Sequence, residues 1–323
     1  MIIDSIRIRT LARLGQTRAF FSVAMPEIIE ENRDVYIVTA DLAFASGMDE
    51  IMRKNPDRII NVGIAEQNTI SISSGLAAEG FNVYAVGYAS FVASRSIEQV
   101  RLNLLATNAN VKLVGFWSGV SLGLGVSHYA IEDTAFMRSM PGMTILSPAD
   151  SLEAYKTAKA VADFDKPVYI RLSGGMETQP VYKEDYCFEI GKAIKLIEGC
   201  DAAIIATGLM VKESMKAADI LREKGISCAL YNYHTIHPLD TEALDEIFAN
   251  YKLIVSVEEH AVRGGLGGAV AEYKTAFTNA PRHLILGFPN YFVKAGSQEY
   301  MWDLAGISCA GIVEQISSHF GKQ

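Results

Sequence analysis

The chain has 323 residues, half of them hydrophobic and a fifth charged, and 29 basic against 37 acidic side chains leave a net charge of -8. This is too long for one ordinary core, suits two domains of about 150 residues each, and is not the composition of a disordered chain. No basic stripe offers itself to nucleic acid, no apolar run approaches the roughly 18 residues of a membrane helix, and the opening Met1-Ile2-Ile3-Asp4 lacks the character of a signal peptide.

In chain order, β-branched runs alternate with amphipathic stretches. Strands are predicted at Val35 to Thr39, Arg58 to Val62, Asn82 to Val86, Val111 to Trp117, Met143 to Leu146 and Val168 to Leu172. Helices are predicted between them at Thr17 to Glu31, Glu66 to Glu79, Arg95 to Thr107, Ile131 to Met140 and Ser151 to Ala162. This alternation implies parallel strands with crossover helices. Ser173 to Tyr186, with Gly174, Gly175 and Pro180, then breaks the pattern and reads as a linker. A second alternation follows, with strands at Ala202 to Ala206, Ser227 to Tyr231 and Leu253 to Val257 and helices near Val211 to Lys224 and Gly267 to Ala276. The expected fold is α/β, with two doubly wound, mainly parallel-sheet domains at 1–175 and 191–323 and a linker at 176–190. The cysteines Cys187, Cys200, Cys228 and Cys309 are scattered without CxxC spacing and read as reduced cytoplasmic thiols.

The sharpest local feature is Asn61-Val62-Gly63-Ile64-Ala65-Glu66-Gln67-Asn68, which runs from a strand end into a helix. Open α/β sheets bind ligands at the carboxyl ends of their strands, and a glutamate there, preceded by apolar Ile64 and Ala65, is partly desolvated. Position alone favours a plainer reading, in which Glu66 complements the positive end of its helix. The glycines at 264–268 do not make a dinucleotide fingerprint, because Val270 stands where the last glycine is required. They read as a tight helix entry. His234, His237, His283 and His319 have no metal-ligand spacing, so no metal is assigned to this chain.

The surrounding sequence reverses the odds on Glu66. Thr17-Arg18, Asp41-Leu42-Ala43, Gly63-Ile64-Ala65-Glu66-Gln67, the aromatic stretch Tyr88 to Arg95, Ser127-His128, Glu132-Asp133, Ser147-Pro148-Ala149-Asp150 and Glu258-Glu259-His260 with Gly264-Gly265-Leu266-Gly267 fall in the order in which the transketolase superfamily has them. The chain resembles that superfamily over nearly its whole length. GIAEQ looks like the form in transketolases and deoxyxylulose-phosphate synthases, where dehydrogenase β subunits more usually have a TPITE-like segment.

The resemblance implies thiamine diphosphate, a cofactor that carries the hard chemistry while the protein activates and positions it. It assigns Glu66 to the aminopyrimidine ring, whose imino form the glutamate favours, and Phe91 or Tyr88 to stacking on that ring. Asp41, Leu42 and Ile64 count with the cofactor-facing positions, and His128 with the substrate, whose hydroxyls or developing oxyanion it would bond. His260 matches a residue with a structural or interface role.

Two departures carry information. The family's GDG segment and later asparagine, which hold the diphosphate and its divalent ion (Mg2+ or another), have no counterpart here. A second polypeptide, an N-terminal diphosphate-binding subunit, is therefore expected, most naturally in a heterotetramer with each cofactor at a subunit interface. Around the substrate, Leu124 takes the place of an aspartate that reads the acceptor's 2-hydroxyl, Phe116 that of a phosphate-side histidine, and Gly174 that of a phosphate arginine, while Arg18 matches another phosphate-end residue. Losing an arginine fork removes charge-assisted bidentate bonds. The expected reaction is transfer of a two-carbon ketol unit between a ketose and an aldehyde or ketone, with an atypical sugar. The alternatives are a related enzyme that decarboxylates a 2-oxo acid, like deoxyxylulose-phosphate synthase or a dehydrogenase E1 β subunit, and a non-catalytic partner subunit.

Overall fold

The computed structural model describes residues 3–121, 123–173 and 179–321. In chain order the strands are β1 (Val35–Thr39), β2 (Ile59–Asn61), β3 (Asn82–Tyr88), β4 (Val111–Ser118), β5 (Thr144–Leu146), β6 (Val168–Ser173), β7 (Ile194–Ile197), β8 (Ala202–Ala206), β9 (Cys228–Asn232), β10 (Thr235–His237), β11 (Leu253–Ala261) and β12 (Arg282–Phe288). They form a seven-stranded sheet in the order β10-β5-β6-β4-β3-β1-β2 and a five-stranded sheet in the order β12-β11-β8-β9-β7. Pairing is parallel except at β10 with β5 and at β7 with β9. The α/β class and the two mainly parallel sheets are as expected. No described helix is long and apolar enough to cross a membrane.

The strands are buried on both faces, as continuous apolar runs covered by helices on each side must be. Because side chains alternate along a strand, Tyr84 and Val86 enter one core with Phe20, Met25 and Leu152. Their neighbours Val83 and Ala85 enter the other, with Ile70, Leu104 and Met137. Both cores continue into the second sheet, through Ile204 and Val255 on one side and Ile205 and Ile254 on the other.

The expected helix from Thr17 to Glu31 is a composite, with a π-helical turn at Ala19–Ala24 before the α-helix Met25–Glu31. Pro26 lacks the N–H that would continue an α-helical ladder, so the preceding turn widens. The region around 95–107 is likewise built of a short α-turn, Ile97–Gln99, between π segments at Phe91–Arg95 and Val100–Leu105.

The halves are laced together. β10 comes from the second half of the chain yet closes the edge of the first sheet, with Thr235 opposite Leu146 and His237 opposite Ile145. The described part of the expected linker is packed, with Val181 and Tyr182 buried. Their backbone N–H groups donate to Asp150 Oδ2 at 2.7 and 3.0 Å. Glu153, fully buried one turn further along, accepts from Tyr182 and Tyr186 hydroxyls at 3.0 Å each, from Ala149 N at 2.6 Å and from Asn232 Nδ2 at 2.9 and 3.0 Å. One carboxylate thus joins the first sheet's helix, the linker and β9. It satisfies the rule that a buried charge must be fully hydrogen-bonded.

Candidate active site

The candidate site lies where β1 to β4 end. β1 runs into Asp41, held at φ +62°, a left-handed backbone that Asp tolerates better than most residues. Asn61, at the end of β2, fixes that turn: its Nδ2 donates to Asp41 Oδ1 at 2.8 Å, and its Oδ1 accepts from the Asp41 and Gly63 N–H groups at 3.1 and 3.0 Å. The predicted GIAEQ turn follows, with Ile64 81% exposed and Glu66 only 3% exposed as the first residue of the helix Glu66–Ala78.

Arg95 donates to Glu66 Oε2 at 2.8 Å, and its guanidinium also lies 4.3 Å over the Phe91 ring. Both residues sit on the π segment Phe91–Arg95. Such wide turns recur at functional sites because they re-aim side chains. Glu66 Oε1 has no hydrogen-bond partner among the described residues.

Beside this pair stands an aromatic group. Tyr88 stacks on Trp117 at 5.3 Å with an interplanar angle of 18° and meets Phe91 edge-on at 5.7 Å. His128 lies 5.8 Å from Tyr88 and 5.1 Å from Phe91, and its Nδ1 is 3.0 Å from Ser127 Oγ. Burial pushes the Tyr88 phenol above its ordinary range. The structure thus brings together Phe91, Tyr88 and His128, and joins Glu66 to Phe91 through Arg95.

Other expected positions fall elsewhere. Phe116 is completely buried, packed beneath Tyr88 at 5.0 Å, so it supports the aromatic group from below and presents no surface to a substrate. Arg18 lines a separate cavity of about 610 Å³ with Phe44, Trp117 and Ser121. Leu124 is 57% exposed, and Leu42 is half-buried beside Asp41, its N–H donating to Thr39 Oγ1 at 3.3 Å. Gly174 lies outside the described residues. His260 is buried, accepting from Ala135 N at 3.3 Å through Nε2 while Nδ1 faces Ala261 O at 2.8 Å. The glycine turn at 264–267 wraps the Glu258 carboxylate, which accepts from Leu266 N at 2.7 Å and Gly267 N at 2.8 Å, so these glycines serve a helix entry. Among the described residues no group of three or more His, Cys, Asp or Glu side chains converges as a metal site would.

Sequence reasoning missed Arg95 as the partner of Glu66 and missed Trp117. Trp117 has φ +53° at a register shift between Phe116 and Ser118 in the β4–β6 pairing. A left-handed bulky residue costs on the order of 1 kcal/mol or more and persists only where its surroundings impose it. Nothing in a β-rich run ending in Trp announces such a bulge.

Comparisons with known proteins agree with this geometry. Residues 15–176 match the family described as transketolase, pyrimidine binding domain, and residues 191–312 that described as transketolase, C-terminal domain. One of the two subunits of the apulose-4-phosphate transketolase of Phocaeicola vulgatus is 34% identical over 296 residues, covering 91% of this chain and 94% of that protein. The 6-deoxy-6-sulfo-D-fructose transketolase subunit SqwH of Clostridium sp. (strain MSTE9) is 34% identical over 288 residues, 89% of each. A solved split-gene transketolase, described as an inactive β4 tetramer, superimposes with a TM-score of 0.85 at 31% identity, covering 94% of this chain and 97% of that one. The chain belongs to the transketolase family, as the subunit that carries the pyrimidine-binding and C-terminal domains of a split transketolase.

Proposed function

We propose that this chain is the Glu66-bearing half of a cytoplasmic, thiamine-diphosphate-dependent transketolase, and that a second polypeptide supplies the ligands for the diphosphate and a divalent ion such as Mg2+. The observation that carries the reading is Glu66 itself: a buried side chain with one carboxylate oxygen held by Arg95 and the other unpartnered among the described residues. A sheltered carboxylate with an unpaired oxygen is costly unless a ligand completes it. The neighbouring aromatic rings and exposed Ile64 suit a flat heterocycle that carries a hydrogen-bond donor. When bound, the cofactor supplies the carbanion-stabilising chemistry of ketol transfer. Glu66 holds a proton at the pyrimidine edge, Phe91 or Tyr88 fixes the ring by stacking, and Asp41, Leu42 and Ile64 shape its surroundings. His128 donates to or accepts from the substrate hydroxyls and the developing oxyanion.

The division at 1–175, 176–190 and 191–323 is carried into this proposal as a pyrimidine-binding unit, a packed connector and a C-terminal unit. Assembly as a heterotetramer with the diphosphate-binding subunit places each cofactor between chains. The names of two relatives include substrates other than ordinary pentose phosphates, which supports an atypical sugar here.

Calorimetry tests the split. The isolated chain, titrated with thiamine diphosphate and magnesium, is expected to bind weakly and to turn nothing over. With the diphosphate-binding subunit it is expected to bind tightly and transfer ketol units. Sub-micromolar binding or turnover by the isolated chain overturns the reading. Turnover with pyruvate in place of a ketose donor moves it to the decarboxylating alternative.

A further inference from the structure

The segment 119–130 carries His128, and the second half of the chain grips it. Its stem is closed by Gly119 N to Ala130 O at 3.0 Å and Ala130 N to Gly119 O at 2.9 Å. Arg171, on β6, donates through Nη2 to Ala130 O at 3.0 Å and also to the backbone oxygen of Glu259, on β11, at 2.7 Å. The Glu259 side chain then turns back to the stem. Its Oε1 accepts from Val120 N at 3.4 Å and from two side chains of the helix Gln298–Ala305, Gln298 Nε2 at 3.0 Å and Trp302 Nε1 at 2.8 Å.

The fit is tight. Gly119 has φ +67°, and a Cβ there would fall 2.3 Å from the Glu259 carboxyl group, so only glycine admits this carboxylate. Further contacts follow the same course: Gly296 N donates to the Tyr129 hydroxyl at 3.3 Å, and Ala261 N to Ile131 O at 2.6 Å.

Glu259 is 2% exposed, and its Oε2 is buried with no hydrogen-bond partner among the described residues. A half-satisfied buried carboxylate is a poor stabiliser, and an apolar residue of similar volume would cost less. We infer that Glu259 is a positioning residue for His128, through which the C-terminal half, with Gln298 and Trp302, sets the height and angle of the histidine-bearing segment over the aromatic group. The inference rests on the reading of His128 as the substrate residue.

Double-mutant kinetics on the reconstituted two-subunit enzyme test it. Three single variants are made, His128→Ala, Glu259→Gln and Trp302→Phe, together with Glu259→Gln and Trp302→Phe each in the His128→Ala background. Trp302→Phe keeps the ring packing and deletes one N–H, so it carries the test if Glu259→Gln fails to assemble.

His128→Ala is expected to lower kcat/KM about 100-fold. Glu259→Gln and Trp302→Phe are each expected to lower it roughly five- to tenfold, mainly by raising KM for the ketose, with the dissociation constant for thiamine diphosphate unchanged. In the His128→Ala background neither is expected to cost anything further, because residues acting through one group are not additive. Full additivity, unchanged kinetics in Trp302→Phe, or a parallel loss of cofactor affinity overturns the positioning role. A His128→Ala enzyme with wild-type kcat/KM overturns the reading of His128 and the inference with it, an outcome separable from the others because that variant leaves Glu259 untouched.

Discussion

Arg95 is the hydrogen-bond partner of Glu66: the guanidinium reaches from the π segment Phe91–Arg95 to the first residue of the helix Glu66–Ala78, at 2.8 Å. The carboxylate is buried while the arginine side chain is 49% exposed. One end of the pair is therefore sheltered and the other open to solvent. That asymmetry separates what each residue contributes.

Glu66→Gln is expected to abolish measurable turnover while leaving the fold and assembly with the partner subunit intact. The amide still accepts from Arg95 and still bonds a ring, but it neither takes nor returns a proton, and positioned acid–base groups contribute roughly 10² to 10⁴-fold. Steady-state rates of the reconstituted variant, with size-exclusion chromatography to confirm assembly, check this. Near wild-type rates would demote Glu66 to a helix-end residue.

Arg95→Ala is expected to lower kcat/KM by about tenfold with little change in the thermal midpoint. A half-exposed ion pair contributes little to stability, so the loss falls on the orientation of Glu66 and on the face of Phe91 that Arg95 covers. Thermal melts beside kinetics separate the two effects. A large fall in melting temperature with unchanged kcat/KM would make the pair a stabilising contact and nothing more.

Substrate preference is expected to depart from that of ordinary pentose-phosphate enzymes. Leu124 stands exposed where the family reads an acceptor hydroxyl, and an apolar contact does not repay the desolvation of a hydroxyl or phosphate that it cannot pair. Ribose 5-phosphate is expected to be a poor acceptor, and xylulose 5-phosphate a mediocre donor, beside dephosphorylated or branched analogues. Leu124→Asp is expected to improve ribose 5-phosphate severalfold. If ordinary pentose phosphates give the highest kcat/KM, the partner chain or Arg18 supplies the missing contacts.

Stability between about pH 4 and 7 is expected to reflect opposed titrations. Burial pushes His234 and His283 down to about 4 from an ordinary 6.5. Across that window the unfolded chain binds more protons, so their contribution is present above about 6.5 and is lost as pH falls toward 4. Asp150 runs the other way. Burial lifts it from 3.8 to about 6, so the folded chain binds the extra proton and gains stability as pH falls through 6. Urea unfolding midpoints across this range are expected to decline more steeply with acid in Asp150→Asn and less steeply in His234→Leu/His283→Leu. Curves parallel to the wild type for both variants would rule this out.

Much of the scaffold was legible in the sequence because central parallel strands are apolar on both faces: Val35–Thr39 and Ala202–Ala206 occupy their predicted spans residue for residue. What escaped notice lies mainly at the edges. Strand β7 reads Ile-Lys-Leu-Ile and β12 opens on Arg282-His283, because an edge strand mixes in polar residues, while β10 is three residues long. At the site, the placement of Tyr88, Phe91 and His128 follows from strand ends that the pattern located. The burial of Phe116 and the outward turn of Trp117 do not, since a one-residue bulge exchanges which neighbour faces out. Arg95 was hidden for a related reason: the helix expected from that residue is wound as π turns, which shift every side chain around the axis.

The crossing of β10 into the first sheet has a consequence for biosynthesis. As the chain emerges from the ribosome, the pyrimidine-binding half waits with an open edge along Thr144–Leu146, all buried in the finished protein, until synthesis has passed His237. An unpaired apolar edge is a template for association with other chains. Cutting the chain at residue 190 would therefore release a sticky, unfinished sheet, and nascent protein remains in need of shelter until most of the C-terminal half exists.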